Sequence, residues 1–205
     1  MRIYLVTDER LLLGKDLYRT VEAAVKGGVS MVQLREKESS TREFIERAIR
    51  LKEVLTPYGV PLIINDRVDV ALAADADGVH VGQSDMLYEM VKRLLPEGKI
   101  IGLSVESPEQ VLEANNYDLD YVAASPVFST TTKTNTIVEW GLDGLRWIRS
   151  VSRHPLVAIG GIHSNNVASI CKAGADSVAV ISAIVSADDP ERAARELLEK
   201  SGEPH

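Results

Sequence analysis

The stretch VSMVQLREK, residues 29–37, reads as a buried strand that ends in charge. Alternate side chains of a strand share a face, so Met31, Gln33, Arg35 and Lys37 point one way and Val32, Leu34 and Glu36 the other. The first face turns from apolar to cationic along its length, as it would in a strand rising from a core into a cavity mouth. Comparable apolar runs recur at 2–7, 60–64, 77–81, 99–105, 119–124, 155–159 and 176–181. Helical periodicity lies between them. It is clearest over 40–55, where Ser40 and Glu43 have capping-box spacing ahead of Phe44, Ala48, Leu51 and Leu55. Ser107-Pro108 and Asp189-Pro190 are helix starts with Pro at the first helical position.

Strands alternating with helices predict an α/β fold with a parallel sheet. An open doubly wound sheet would bring a glycine-rich turn after its first strand, and VTDERL (6–11) has none. The expectation is therefore a closed (β/α)8 TIM barrel, one domain spanning residues 1–205, near the short end of that fold's range. Composition agrees with a soluble enzyme-sized domain: 45% of residues are hydrophobic and the net charge is −7. Lys and Arg are dispersed, which argues against a nucleic-acid partner. No apolar stretch reaches the roughly 20 residues of a membrane span. Cys171 stands alone in an apolar helical pattern and reads as a small buried hydrophobe. A cytoplasmic location is the expectation, and the oligomeric state stays open, a homo-oligomer included.

Barrel active sites gather at the C-terminal ends of the strands. The residues just after each run are Gln33, Arg35 and Lys37, then Asn65 and Asp66, then Gln83, Ser84 and Asp85, then Ser104. After these come the long segment 125–136, Gly160-Gly161 and Ser182. Paired glycines after the seventh strand and a short helix over 183–185 after the eighth favour a phosphate site over a plain tight turn. Asp66 and Asp85 suit Mg2+, which takes one or two carboxylates plus phosphate oxygens, and equally suit helix capping. Arg35, Lys37 and Lys133 can clamp an oxyanion-rich group, or 35–38 can be a self-paired charged loop. His80 faces inward and reads as a hydrogen-bonded core histidine rather than a general base. Residue chemistry alone thus leads to a barrel binding a phosphorylated small molecule.

At these rim residues the chain closely resembles the thiamine phosphate synthases, through YLVTDE, VQLREK, IINDRVDVALAADADGVHVGQSD, SPVFSTTTK, GLDGL, VAIGGI and AGADSVAVISAI, over about residues 3–187. The resemblance implies a transferase of thiamine biosynthesis. Its two small-molecule substrates would be 4-amino-2-methyl-5-hydroxymethylpyrimidine diphosphate and 4-methyl-5-(2-hydroxyethyl)thiazole phosphate, with Mg2+ as cofactor. Carried over by position, Gln33, Leu34, Arg35, Glu36, Lys37, Asn65, Ser104 and Lys133 would bind the pyrimidine diphosphate. Asp66 and Asp85 would hold Mg2+; Thr130, Thr131, Thr132, Gly161, Ile181 and Ser182 would bind the thiazole phosphate. Arg35, Lys37, Ser104 and Lys133 would carry the catalytic work. The chain departs from the resemblance after Lys133, where TKTNTIVEWGL lacks the usual Asp and prolines. The related thiazole tautomerases tend to carry a catalytic His in the loop after the sixth strand, where this chain has none. A non-catalytic phosphometabolite binder would need neither the Asp pair nor Lys133.

Overall fold

Each apolar run forms one short strand: β1 (Ile3–Val6), β2 (Met31–Leu34), β3 (Leu62–Asn65), β4 (Gly78–Val81), β5 (Ile100–Val105), β6 (Tyr121–Ala124), β7 (Leu156–Ile159) and β8 (Ser177–Val180). These belong to a computed structural model that describes residues 3–129 and 139–202. Every strand pairs in parallel with its neighbour in sequence, and β1 pairs with β8, so the sheet closes into the expected (β/α)8 barrel.

The helices form where capping and periodicity direct. They are α1 (Leu17–Lys26), α2 (Thr41–Leu55), α3 (Val68–Ala73), α4 (Tyr88–Leu94), α5 (Pro108–Ala114), α6 (Gly141–Val151), α7 (Val167–Lys172), the short α8 (Ser182–Val185) and α9 (Pro190–Lys200). At the start of α2 the Glu43 amide donates to Ser40 Oγ and the Ser40 amide donates back to Glu43 Oε2. Such a cap contributes about 1 kcal/mol. Ser107 and Asp189 cap α5 and α9 ahead of their prolines. No helix among the described residues is long and apolar enough to cross a membrane.

Two apolar layers result from strand parity. Tyr4, Val6, Met31, Ile63, Tyr121, Ala123, Val157 and Ala179 fill the barrel. Val32, Leu34, Ile64 and their counterparts face outward and pack under Phe44, Leu51 and the other helical side chains. Inside, Gly102 makes room for a large neighbour: a Cβ there would overlap the Tyr121 ring. Gly102→Ala should therefore cost about 1–3 kcal/mol and lower Tm by several degrees, measured by thermal melting. An unchanged Tm would mean that the ring moves aside at no cost.

Candidate active site

The C-terminal ends of the strands surround a cavity of about 1220 Å³. Along β2 and the loop after it, Gln33, Arg35 and Lys37 line this cavity. Leu34 and Glu36 do not: Leu34 is buried in the helix-facing layer, and Glu36 turns to α2, where Arg47 Nη1 donates to its Oε2 at 3.0 Å. Burial pushes the Glu36 carboxyl above its ordinary range, opposed by Ser39 and Arg47. Any part these two residues play in the cavity falls to their backbone. Arg35 is positioned from β1, its Nη1 donating to Asp8 Oδ2 at 2.6 Å and its backbone amide to Thr7 Oγ1 at 3.1 Å. Asp8 is nearly inaccessible to solvent. Sequence reasoning passed over it, because an Asp in TDER looks like an ordinary turn residue.

Asp66 and Asp85 meet on the same wall. Lys37 Nζ donates to Asp66 Oδ2 at 2.6 Å. The capping alternative for these two aspartates does not hold: α3 has Arg67 at its N-cap position, α4 has Leu87, and neither helix start receives a side-chain cap. The backbone explains why. Asp66 sits at φ +62°, a left-handed conformation that Asp tolerates better than most side chains, and this turns it out of the helix path. Asp85 folds back so that Oδ2 accepts from the Gly82 amide at 2.7 Å. Burial and then the neighbouring Asp66 carboxylate raise the Asp85 carboxyl above its usual range. Two carboxylates held against each other suit a divalent cation. Among the described residues no third His, Cys, Asp or Glu joins them.

The cavity floor is polar and hydrogen-bonded from wall to wall. Gln33 Nε2 lies 2.7 Å from the Tyr4 hydroxyl, which lies 2.9 Å from the Tyr121 hydroxyl. His80 Nδ1 is 3.0 Å from Tyr121 Oη, and His80 Nε2 is 2.9 Å from Ser104 Oγ. The rings brace each other, with Tyr4 edge-on to Tyr121 and His80 stacked on it. His80 is thus bonded through both nitrogens. Asn65, the register partner of His80 on β3, also lines the cavity.

Gly160, Gly161, Ile181 and Ser182 line the opposite wall. Gly160 and Gly161 have φ of +106° and +65°, and a Cβ on Gly161 would come within 2.8 Å of Phe128 Cβ and Ser129 O. Only glycine fits so closely. Asn166 pins this turn, donating from Nδ2 to Gly161 O at 2.8 Å and accepting from the His163 amide at 2.9 Å. Ser182 opens α8, one residue earlier than expected. Thr130, Thr131, Thr132 and Lys133 lie outside the described residues.

Residues 3–184 match the family model described as thiamine monophosphate synthase. The chain belongs to the thiamine monophosphate synthase family. A thiamine-phosphate synthase of Albidiferax ferrireducens is 52% identical over 197 residues, which cover 96% of this chain and 90% of that one. One of Vibrio campbellii is 50% identical, covering 96% of both. Among solved structures, thiamine phosphate pyrophosphorylase from Pyrococcus furiosus superposes with a TM-score of 0.89 at 40% identity, covering 98% and 95% of the two chains. The 3-hexulose-6-phosphate synthase of Salmonella typhimurium, at 22% identity and a TM-score of 0.74, shares the fold alone.

As a member of the thiamine monophosphate synthase family the chain is an enzyme, a transferase. Its barrel gathers Gln33, Arg35, Lys37, Asn65, Asp66, Asp85, Ser104, Gly161, Ile181 and Ser182 around one cavity. Tyr4, Asp8, Tyr121 and Asn166 join or support them without having been singled out. The juxtaposed carboxylates have a measurable consequence for stability. Asp85→Asn keeps an acceptor for the Gly82 amide and removes one of two facing charges, so in chelator-containing buffer Tm should rise by about 1–3 °C. A thermal melt checks this; a fall in Tm would show that the pair does not repel.

Proposed function

We propose that this transferase joins 4-amino-2-methyl-5-hydroxymethylpyrimidine diphosphate to 4-methyl-5-(2-hydroxyethyl)thiazole phosphate, giving thiamine phosphate and diphosphate. One observation carries the reading. The cavity has two dissimilar phosphate-compatible walls, Arg35 and Lys37 beside the Asp66–Asp85 pair on one side and the Gly160-Gly161 turn with Ser182 on the other. Two phosphorylated substrates can then lie with their reacting ends between the walls, as proximity catalysis requires. The names of the most similar relatives support the same reading.

The geometry suggests how the residues divide the work. Arg35 and Lys37 face the diphosphate and stabilise the charge that grows on it as the bond from the pyrimidine methylene to oxygen breaks. The electron pair leaves with diphosphate, and the electron-rich aminopyrimidine supports the cationic methylene. The thiazole nitrogen lone pair then forms the new carbon–nitrogen bond. Asp66 and Asp85 would hold Mg2+, which when bound neutralises charge on phosphate oxygens. No protein nucleophile is required, in keeping with His80 being committed through both ring nitrogens. Lys133 and Thr130–Thr132 are assigned to the diphosphate and the thiazole phosphate by resemblance.

The test is direct. Purified protein with both substrates and Mg2+ should yield thiamine phosphate, detected by fluorescence after oxidation; no product would end the reading. In Asp66→Asn and Asp85→Asn, a Mg2+ titration of initial rate should shift to much higher concentration with severely reduced turnover, because Asn keeps an oxygen but loses the charge that holds a hard cation. Unchanged Mg2+ dependence in both variants would remove the metal from this wall. Ser182→Asp brings a negative charge to the opposite wall and should raise KM for the thiazole phosphate about tenfold or more, with much less effect on the pyrimidine diphosphate. Equal weakening of both substrates would mean that the walls are wrongly assigned.

A further inference from the structure

The segment that carries Arg35 and Lys37 has left the sheet, because β2 ends at Leu34. Side chains hold it instead. On the inner side Arg35 is tied to the turn after β1, through Thr7 Oγ1 and Asp8 Oδ2. On the outer side the tie is Glu36, whose side chain is only 3% exposed. Its Oε2 accepts from Ser39 Oγ at 2.9 Å and from Arg47 Nη1 at 3.0 Å. Arg47 belongs to α2 and does not line the cavity. Its Nη2 also donates to Glu9 Oε1 at 3.0 Å, and its Nη1 lies 2.8 Å from Glu9 Oε2.

These contacts close a ring. Asp8 and Glu9 are consecutive in the chain, as are Arg35 and Glu36; Arg35 joins Asp8, and Arg47 joins Glu9 to Glu36. A planar guanidinium can serve two carboxylates at once. Without it, Glu9 would act on a buried Glu36 as an unopposed like charge. An exposed ion pair contributes little, but a desolvated carboxylate that loses its cation is costly and turns toward water. Strand parity gives the tether its reach, since Glu36 points outward and its two neighbours point into the cavity. We propose that Arg47 is a positioning residue for the transfer: by holding Glu36 and Glu9 together it fixes the backbone between Arg35 and Lys37, and so aims both cations at the diphosphate.

This inference rests on the proposed synthase reading, and the two fail distinguishably. The measurement is KM for both substrates at saturating Mg2+, in wild type, Arg47→Met, Glu36→Ala and the double variant, with thermal melts alongside. Calorimetric titration of inorganic diphosphate in Mg2+ buffer supplies a readout independent of turnover. Arg47→Met keeps most of the apolar stem and removes the fork. KM for the pyrimidine diphosphate should rise about ten- to a hundredfold, inorganic diphosphate should bind more weakly in parallel, and KM for the thiazole phosphate should hold steady. Glu36→Ala should act in the same direction, and the double variant should be no worse than the poorer single one, because both remove one tether. Glu36→Ala also leaves α2 untouched and decides the matter where Arg47→Met does not fold. If Arg47 acted only through its charge at a distance, removing the Glu36 carboxylate would instead tighten diphosphate binding; that result would overturn the proposal. Folded variants with wild-type KM for the pyrimidine diphosphate, or with both KM values raised equally, would overturn it too and leave an active wild type as a synthase. Wild type that yielded no thiamine phosphate would sink both readings.

Discussion

The pairing of Ile3, Tyr4 and Leu5 with Val178, Ala179 and Val180 is the constraint on which everything else depends. It joins first strand to last, leaves no open edge, and locks the two-residue side-chain period of every strand between them. A slip of one residue in β2 would send Arg35 and Lys37 under the helices and bring Val32 and Leu34 into the cavity. Fully burying such a side chain is worth roughly 1.5–3 kcal/mol, and β2 alone buries two on its outer face. The apolar layer under the helices, far from the chemistry, is therefore what aims the cations.

The inner face meets the opposite problem. A barrel interior closed by short strands has to accept polar side chains if its upper end is to recognise anything, and an unsatisfied buried polar group costs about 1–3 kcal/mol. The floor meets that cost by linking its members to one another, and among the described residues no buried side-chain nitrogen or oxygen lacks a partner. Burial raises the pKa of both Tyr4 and Tyr121, which keeps their hydroxyls protonated and able to donate. Linked in this way, the floor side chains brace one another.

Much of this was legible from period-two reasoning alone, and the exceptions have physical causes. The parity of Gln33, Arg35 and Lys37 against Leu34 and Glu36 predicted which side chains line the cavity, while the carry-over by resemblance swept in all five. Asp66 and Asp85 precede helical patterns and so looked equally like caps. Only backbone geometry, a left-handed turn at Asp66 and a folded-back carboxylate at Asp85, takes both out of the capping positions. Tyr4 and Tyr121 sit in apolar runs where a tyrosine reads as packing, although the parity applied to β2 would have sent both inward. Asp8 and Asn166 act on backbone and side chains distant in sequence or hidden in a turn, and no local pattern announces them. Gly102 is informative only once its neighbour across the ladder is known to be Tyr121.

Depth in the cavity sorts the chemistry by charge. The floor, buried among the strands, contains hydroxyls, an amide and an imidazole, groups that tolerate low dielectric when paired. The ionised groups stand higher: Lys37 is half-exposed, Asp66 is partly so, and Arg35 is steadied by a buried counter-charge in Asp8. Had these positions been exchanged, two carboxylates and two cations would have required desolvation that costs several kcal/mol per ion. The same ordering suits the proposed reaction. A neutral heterocycle can settle against the floor, where its hydrogen-bonding edge is read without competition from water. On that proposal the diphosphate would remain at the rim, beside the two aspartates proposed to hold Mg2+, and could leave once its bond is broken. On the proposed reading, the energetic cost of burying charge, rather than any feature peculiar to the ligands, would orient the substrate with its leaving group toward the exit.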